Sequence, residues 1–273
     1  MDLRHLGALS LLLGWLALPI PALAAGKCER LIVTGSPDAP PYLWRDPEDP
    51  IHLVGASADL LRQVGGELGL KIEVLYGGER SQAQEEVRSG RMDLLVDAPI
   101  ALDALNSLDY IHPPLVRNDY LVWTRNDSTL VYHTATDLQG HIGAVSQKAR
   151  MTQPFVAFTQ QHLTLQYPPA LAQAFHKLLL GEVEYVLAGR YAGMVTTQSL
   201  GMAKDLGPRV QPVDQPGLFL AVSHNSACND AWLRGQLAKK MTELPASGLA
   251  EIVLQRNVER WTTQRQAVSV SKQ

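Results

Sequence analysis

Short β-rich runs alternate with amphipathic stretches along most of the chain. Leu31-Ile32-Val33 ends at Gly35 and predicts a strand that runs into a loop. Leu60, Leu61, Val64 and Leu68 then recur at helical spacing, with Ser57 as the predicted cap and Gly69 as the stop. Lys71 to Leu75 predicts a second strand, and Ser81 to Ser89 a second helix that ends at Gly90. Asp93-Leu94-Leu95-Val96 is apolar after its first residue, as in a strand buried on both faces of a parallel sheet. This βαβαβ order predicts an α/β layer whose post-strand loops face a cleft.

The pattern then restarts. Tyr120 to Thr124 is extended and leads into the polar turn Arg125-Asn126-Asp127-Ser128. Ile142 to Val145, Leu163 to Gln166 and Glu184 to Leu187 predict strands, separated by helices over Arg150 to Gln160, Pro169 to Leu180 and Tyr191 to Leu200. Val210 to Val213 and Leu218 to Val222 are further extended runs. Ala227 to Leu244 and Ser247 to Trp261 predict a helical close, and Thr262 to Gln273 a frayed tail. Two α/β halves in one chain predict two lobes.

The first residues change the picture of where this chain works. Arg4 and His5 precede an apolar run, Leu6 to Leu18, and then Pro19-Ile20-Pro21-Ala22-Leu23-Ala24. That is the make-up of a secretory signal peptide over 1–24, with cleavage expected after Ala24. Lys27 before Cys28 argues against a lipoprotein, and no second apolar run of about 18 residues follows. A periplasmic protein is expected. With 24 Lys+Arg against 27 Asp+Glu and no basic patch, nucleic acid is excluded as a partner class. Two cysteines are too few for a zinc site, and no metal or other cofactor is expected. In an oxidising compartment Cys28 and Cys228 can pair, although the sequence alone leaves open whether they meet.

The order of short motifs resembles the type II periplasmic solute-binding family that serves polar amino acids. The resemblance runs over about residues 29 to 262. It is carried by Leu31-Ile32-Val33-Thr34-Gly35 with Ala39-Pro40-Pro41-Tyr42, by Gly55 and Asp59-Leu60-Leu61, and by Leu68-Gly69-Leu70-Lys71-Ile72-Glu73. Gly90-Arg91-Met92-Asp93-Leu94 and Asp109-Tyr110-Ile111-His112-Pro113-Pro114 follow in the family's order. Asp137-Leu138-Gln139-Gly140 with Ile142-Gly143 is similar to the opening of the second lobe, and Gly181 to Leu187 to a later strand in it. The resemblance implies an α/β, two-lobed fold with two crossover hinge segments. Lobe 1 would comprise 28–119 plus 217–261, and lobe 2 125–215. Both cysteines would then lie on lobe 1, which favours the Cys28–Cys228 disulfide.

The chain departs from the family at its ligand anchors. A buried zwitterion needs a guanidinium for its carboxylate and a carboxylate for its ammonium, or desolvation is too costly. The family's Arg stands five residues before the aspartate matched by Asp109, and here that position is Ala104. Its ammonium-binding Asp is replaced by Gly189, and its Gly-Thr anion loop by Gln147-Lys148-Ala149-Arg150. Lys148, Arg150 and Arg190 are therefore the candidate cations of lobe 2, and Tyr42, Trp44 and Asp97 the candidate lining of lobe 1. Each also has a plain structural role open to it: solvated surface charge for the Arg residues, packing for the aromatics, loop capping for Asp97.

The expected function is binding of a small polar or anionic ligand between two lobes, by a monomer whose partner is an inner-membrane ABC permease or a sensor kinase. Two alternatives stand beside it: an interaction module that kept the fold and lost the ligand, and a dehydratase-like enzyme on the same scaffold. The sequence contains no G-x-S-x-G, H-E-x-x-H, P-loop or G-x-G-x-x-G motif, so no catalysis is expected.

Overall fold

A computed structural model describes residues 28–270, so the expected signal peptide lies outside the described residues. The chain opens with β1 (Arg30–Thr34), then β2 (Asp38–Ala39), β3 (Leu43–Arg45), β4 (Leu53–Val54), α1 (Ala56–Glu67), β5 (Lys71–Val74), α2 (Arg80–Arg88) and β6 (Leu94–Ala98). It continues with β7 (Leu108–Arg117), β8 (Tyr120–Arg125), β9 (Ile142–Val145), α3 (Gln153–His162), β10 (Thr164–Gln166) and α4 (Leu171–Leu179). β11 (Tyr185–Gly189), α5 (Arg190–Ser199), β12 (Leu206–Pro208), β13 (Gly217–Ser223), α6 (Ala231–Glu243) and α7 (Leu249–Val270) complete it.

Two five-stranded sheets organise two lobes. The first runs β5-β1-β6-β13-β7 and the second β10-β9-β11-β8-β12, with a small β2-β3-β4 sheet beside the first. β1 lies parallel to β5 and β6, while β13 returns antiparallel to β6 and β7. The second sheet repeats the plan: β9 is parallel to β10 and β11, and β8 is antiparallel to β11 and β12.

Each sheet buries its own core. Leu31, Val33, Leu60, Leu61, Val74, Leu94, Leu220 and Leu237 pack between the first sheet and its helices. In the second sheet the period of two divides β8 between both faces. Leu121 and Trp123 join Phe175 and Val186 on one side, and Val122 joins Val145, Tyr185 and Leu187 on the other. Trp123 meets Phe175 edge-on at 5.4 Å between centroids, a geometry that adds about 1 kcal/mol beyond burial.

The connection between lobes is thin. Residues 118–119 leave the first sheet and 214–216 return to it, side by side. Asn118 N donates to Pro216 O (2.9 Å) and Tyr120 N to Asp214 O (2.8 Å). Asp214 also accepts from Thr152 N and Thr152 Oγ1, both at 2.7 Å, which ties the return segment to the N-cap of α3.

Several local expectations differ from the structure. Ser57 does not cap α1; Gly55 does, at φ 137°, where a Cβ would lie 2.3 Å from the Tyr42 carbonyl oxygen. α3 begins at Gln153 with Thr152 as its cap, which leaves Arg150 in the loop before the helix. The extended run expected at Val210 to Val213 contributes no strand; β12 forms earlier, at Leu206–Pro208. The tail expected to fray after Trp261 continues as helix to Val270. α7 is held to lobe 1 by Asn257 Nδ2 to Asp59 Oδ2 (2.9 Å) and Trp44 Nε1 to Gln264 Oε1 (3.0 Å), and Thr262 Oγ1 reaches Gln198 of lobe 2 at 3.3 Å.

Cys28 and Cys228 form a disulfide that joins the start of β1 to the segment before α6, across a separation of 200 residues. Closing so long a loop restricts the unfolded chain, and its loss costs about 2–5 kcal/mol. The paired Cys28→Ser/Cys228→Ser variant is therefore expected to melt about 5–15 °C below the oxidised wild type. Reductant should lower the wild type and leave the variant unchanged in a thermal scan.

Candidate functional site

A cavity of about 340 Å³ lies between the two sheets, at the C-terminal ends of β6, β9 and β11. That is where the α/β rule places a ligand site. Its apolar wall comes from Pro40, Leu171, Leu187, Ala188, Ala192 and Leu218. Five charged side chains line it: Asp38, Arg80 and Asp97 from lobe 1, and Lys148 and Arg150 from lobe 2.

Asp97 is the most unusual of these. It is the penultimate residue of β6 and has φ 60°, a left-handed backbone conformation that Asp and Asn tolerate better than most residues. Its side chain is 2% exposed. Ser57 Oγ donates to Oδ1 at 2.5 Å, whereas Oδ2 has no hydrogen-bond partner among the described residues. Burial raises the carboxyl from its ordinary 3.8 to about 6, against the opposing pull of Ser57 and Arg150.

The loop after β9 crosses to the other lobe. Arg150 Nη2 donates to Ser36 Oγ (2.7 Å) and Nη1 approaches the Asp97 carbonyl oxygen (3.5 Å). Lys148 Nζ pairs with Asp38 Oδ2 at 2.7 Å. Arg80, the first residue of α2, also donates to Ser36 Oγ, at 3.2 Å. Two guanidinium groups thus converge on one neutral hydroxyl. Burial depresses the Arg150 pKa and the Arg80 charge depresses it further, while Asp97 and Asp38 oppose both. Burial pushes the Asp38 carboxyl up, but the Lys148 ion pair, with Arg80 and Arg150 behind it, leaves it below its ordinary value.

Aromatic hydroxyls fix the hinge side. Tyr42 Oη donates to Asn118 Oδ1 (3.0 Å), and Tyr120 Oη accepts from Arg150 N (2.8 Å). Both phenols are pushed up by burial. Asn118 bears on the glycine at 189: a Cβ there would sit 2.4 Å from Asn118 Oδ1, so a side chain at that place would have to displace Asn118 from its bond with Tyr42. Ala104 sits in a 3-10 turn over Asp103–Asn106 and packs towards Val87, Leu95 and Leu108, away from the cavity lining.

Four of the six residues expected from sequence, Tyr42, Asp97, Lys148 and Arg150, line this cavity. Two do not. Trp44 is 2% exposed and stacks edge-on against Trp261 at 5.4 Å, because β3 turns its side chain towards α7. Arg190 pairs with Asp119 at 3.3 Å and lines a separate groove beside the hinge, together with Pro114, Gln215 and Leu254. Sequence reasoning missed Asp38, Arg80, Asn118 and Tyr120. Arg80 carried a usable signal, since it follows Gly77-Gly78 in the loop after β5, on the cleft side of a βαβ unit.

No family model and no curated protein matches the chain. Among solved structures, it is similar to substrate-binding domain 2 of Lactococcus lactis GlnP in the open conformation. The identity is 15%, with 86% of this chain and 97% of that one covered at a TM-score of 0.66. A histidine kinase sensor domain with similarity to periplasmic binding proteins shares 20% identity, over 84% of this chain and 96% of that one, at 0.60. The periplasmic VFT2 domain of Bordetella pertussis BvgS shares 18% over 85% and 93%, at 0.62. At such identities the likeness establishes the fold. The chain has the two-lobed architecture of the type II periplasmic binding proteins.

The raised pKa of Asp97 makes a stability prediction. The native state holds this proton more tightly than the unfolded chain between about pH 4 and 6. The associated stability is present at low pH and is lost as pH rises through about 6; the ionised, buried group then costs about 3 kcal/mol. Asp97→Asn keeps the shape and suits the left-handed backbone. Its stability relative to wild type should grow by about 1 kcal/mol between pH 5 and 7.5 in urea unfolding. A difference that stays constant over that range would contradict the shift.

Proposed function

We propose that this chain is an exported binding protein that closes two lobes over a small polar or anionic ligand. Its partner is an inner-membrane ABC permease or the membrane-bound part of a sensor kinase. The observation that carries this reading is the cavity between the lobes, which combines an apolar wall with convergent Arg80, Arg150 and an unsatisfied Asp97 Oδ2. Small-molecule sites have this make-up, a mostly apolar hollow with a few placed polar groups. The fold supports it as well, since solute-binding and sensor domains are both among the similar structures.

Ligand binding would act by favouring the closed arrangement of the lobes, and the partner would read that arrangement. The signal peptide expected at 1–24 fits export to the periplasm, and among the described residues no helix is long and apolar enough to cross a membrane. A binding role suits the cavity better than turnover. Among its ionisable groups, Asp38 is engaged by Lys148, and Asp97 shares its other oxygen with Ser57.

Thermal unfolding against a panel of amino acids, mono- and dicarboxylates, aromatic acids, sugars and short peptides tests the reading. A ligand at a hundred times its Kd should add about 2.7 kcal/mol, which raises Tm by about 5–10 °C. A flat response across every class would remove the ligand-binding function and leave an interaction module.

A further inference from the structure

The charges that line the cavity do not balance. Arg80, Lys148 and Arg150 supply three positive groups, and Asp38 and Asp97 two carboxyls. Lys148 and Asp38 satisfy each other at 2.7 Å. That leaves two guanidinium groups and one carboxyl to be met by whatever occupies the space. Among the described residues neither Arg80 nor Arg150 makes a direct salt bridge with a carboxylate; both spend hydrogen bonds on Ser36 Oγ. Two adjacent guanidiniums with donors to spare form a seat for one oxyanion, and the single unmatched positive charge suits a carboxylate better than a doubly charged phosphate.

Asp97 adds a second requirement close to the first. Asp97 lines the same cavity, and its backbone carbonyl lies 3.5 Å from Arg150 Nη1, which places the residue beside the guanidinium pair. Asp97 Oδ2 is buried and unpartnered, and an ionised carboxylate only accepts. A ligand with a donor next to its own carboxylate would meet both requirements. Oδ2 already lacks a partner among the described residues, so a ligand that supplies a donor gains that hydrogen bond and one that lacks it does not.

The identity of that donor follows from the charge count. An ammonium would bring a fourth cation beside Arg150, whose charge Arg80 already disfavours. A zwitterion would also leave the lining one positive charge in excess. A hydroxyl donates to Asp97 without adding charge, and a hydroxy-monocarboxylate brings the single negative charge that makes the lining neutral. The opposite wall, Pro40, Leu171, Leu187, Ala192 and Leu218, is apolar and fits a hydrocarbon body.

We infer that the cleft takes a 2-hydroxycarboxylate with an apolar side group, its carboxylate held between Arg80 and Arg150 and its hydroxyl donating to Asp97. This rests on the binding-protein reading and specifies the ligand class for the same site.

Matched ligand trios that differ only at the carbon beside the carboxylate provide the test. 2-Hydroxy-4-methylpentanoate, 4-methylpentanoate and leucine form one set; 3-phenyllactate, 3-phenylpropionate and phenylalanine form the other. Titration calorimetry on the wild type should show the hydroxy acid as the tightest of each trio, by about tenfold or more over the acid without the hydroxyl. Arg80→Gln should weaken the hydroxy acid by about tenfold or more. Asp97→Asn should shrink the preference for the hydroxyl, and wild-type trio data stand even if that variant misfolds.

Equal affinity for the hydroxy and unsubstituted acids overturns the role of Asp97. Leucine or phenylalanine as the tightest ligand overturns the charge argument. If neither trio binds while another class in the broad panel does, this inference fails and the binding-protein reading stands. If nothing in the broad panel binds, that reading fails and the inference goes with it.

Discussion

The interaction that bridges the cleft most directly is the reach of Arg150 from one lobe into the other. Its guanidinium meets Ser36 and the Asp97 carbonyl, while its backbone N–H is held by Tyr120 at the hinge. Lys148, two residues earlier, pairs with Asp38 on the same side. The Arg150 contacts are partly buried, whereas the Lys148–Asp38 pair is exposed on the Lys148 side and, as a solvent-screened pair, contributes less. Each cation here is drawn from the loop after β9, so one segment of lobe 2 supplies both charged links across the cleft.

The scaffold makes such a loop decisive. The two lobes bury separate hydrophobic cores, and only residues 118–119 and 214–216 connect the sheets. The disulfide and the packing of α7 against α1 stiffen lobe 1, whereas α7 meets lobe 2 along α5. Domains joined by thin paired segments with a modest interface are disposed to move as rigid bodies. The packing of α7 on α5 and of Tyr42 on Tyr191 also bridges the lobes, so polar groups in the cleft share with it the say in where the balance lies. Asp97 sits at the centre of that region, in a strained backbone conformation and with an unsatisfied oxygen, which is the kind of local cost that functional sites retain.

Much of the fold was legible because period and punctuation agreed. Apolar runs bounded by Gly69, Gly90 and Gly181 marked the elements, and the order of motifs placed them in two lobes. The absence of the family's anchors was also readable, and the structure ties one of those losses to the contact between Gly189 and Asn118. The cavity was less legible. Trp44 and Arg190 stand one or two residues from cleft positions, yet the pleat of β3 and the first turn of α5 aim them elsewhere. Ser57 looked like a cap, but its hydroxyl serves Asp97, forty residues away. Arg80 and Arg150 meet only through Ser36, a three-way contact across both lobes that no local pattern encodes.

The most direct measurement is the distance between the lobes in solution. Spin labels at Gln84 on α2 and Gln160 on α3, both exposed, would report it by pulsed electron resonance. If the β9 loop holds the lobes together, the wild type gives one short, narrow distance distribution, and Arg150→Ala with Lys148→Ala gives a longer and broader one. Identical distributions for the two proteins would contradict closure by these contacts and place the hold on the lobes elsewhere.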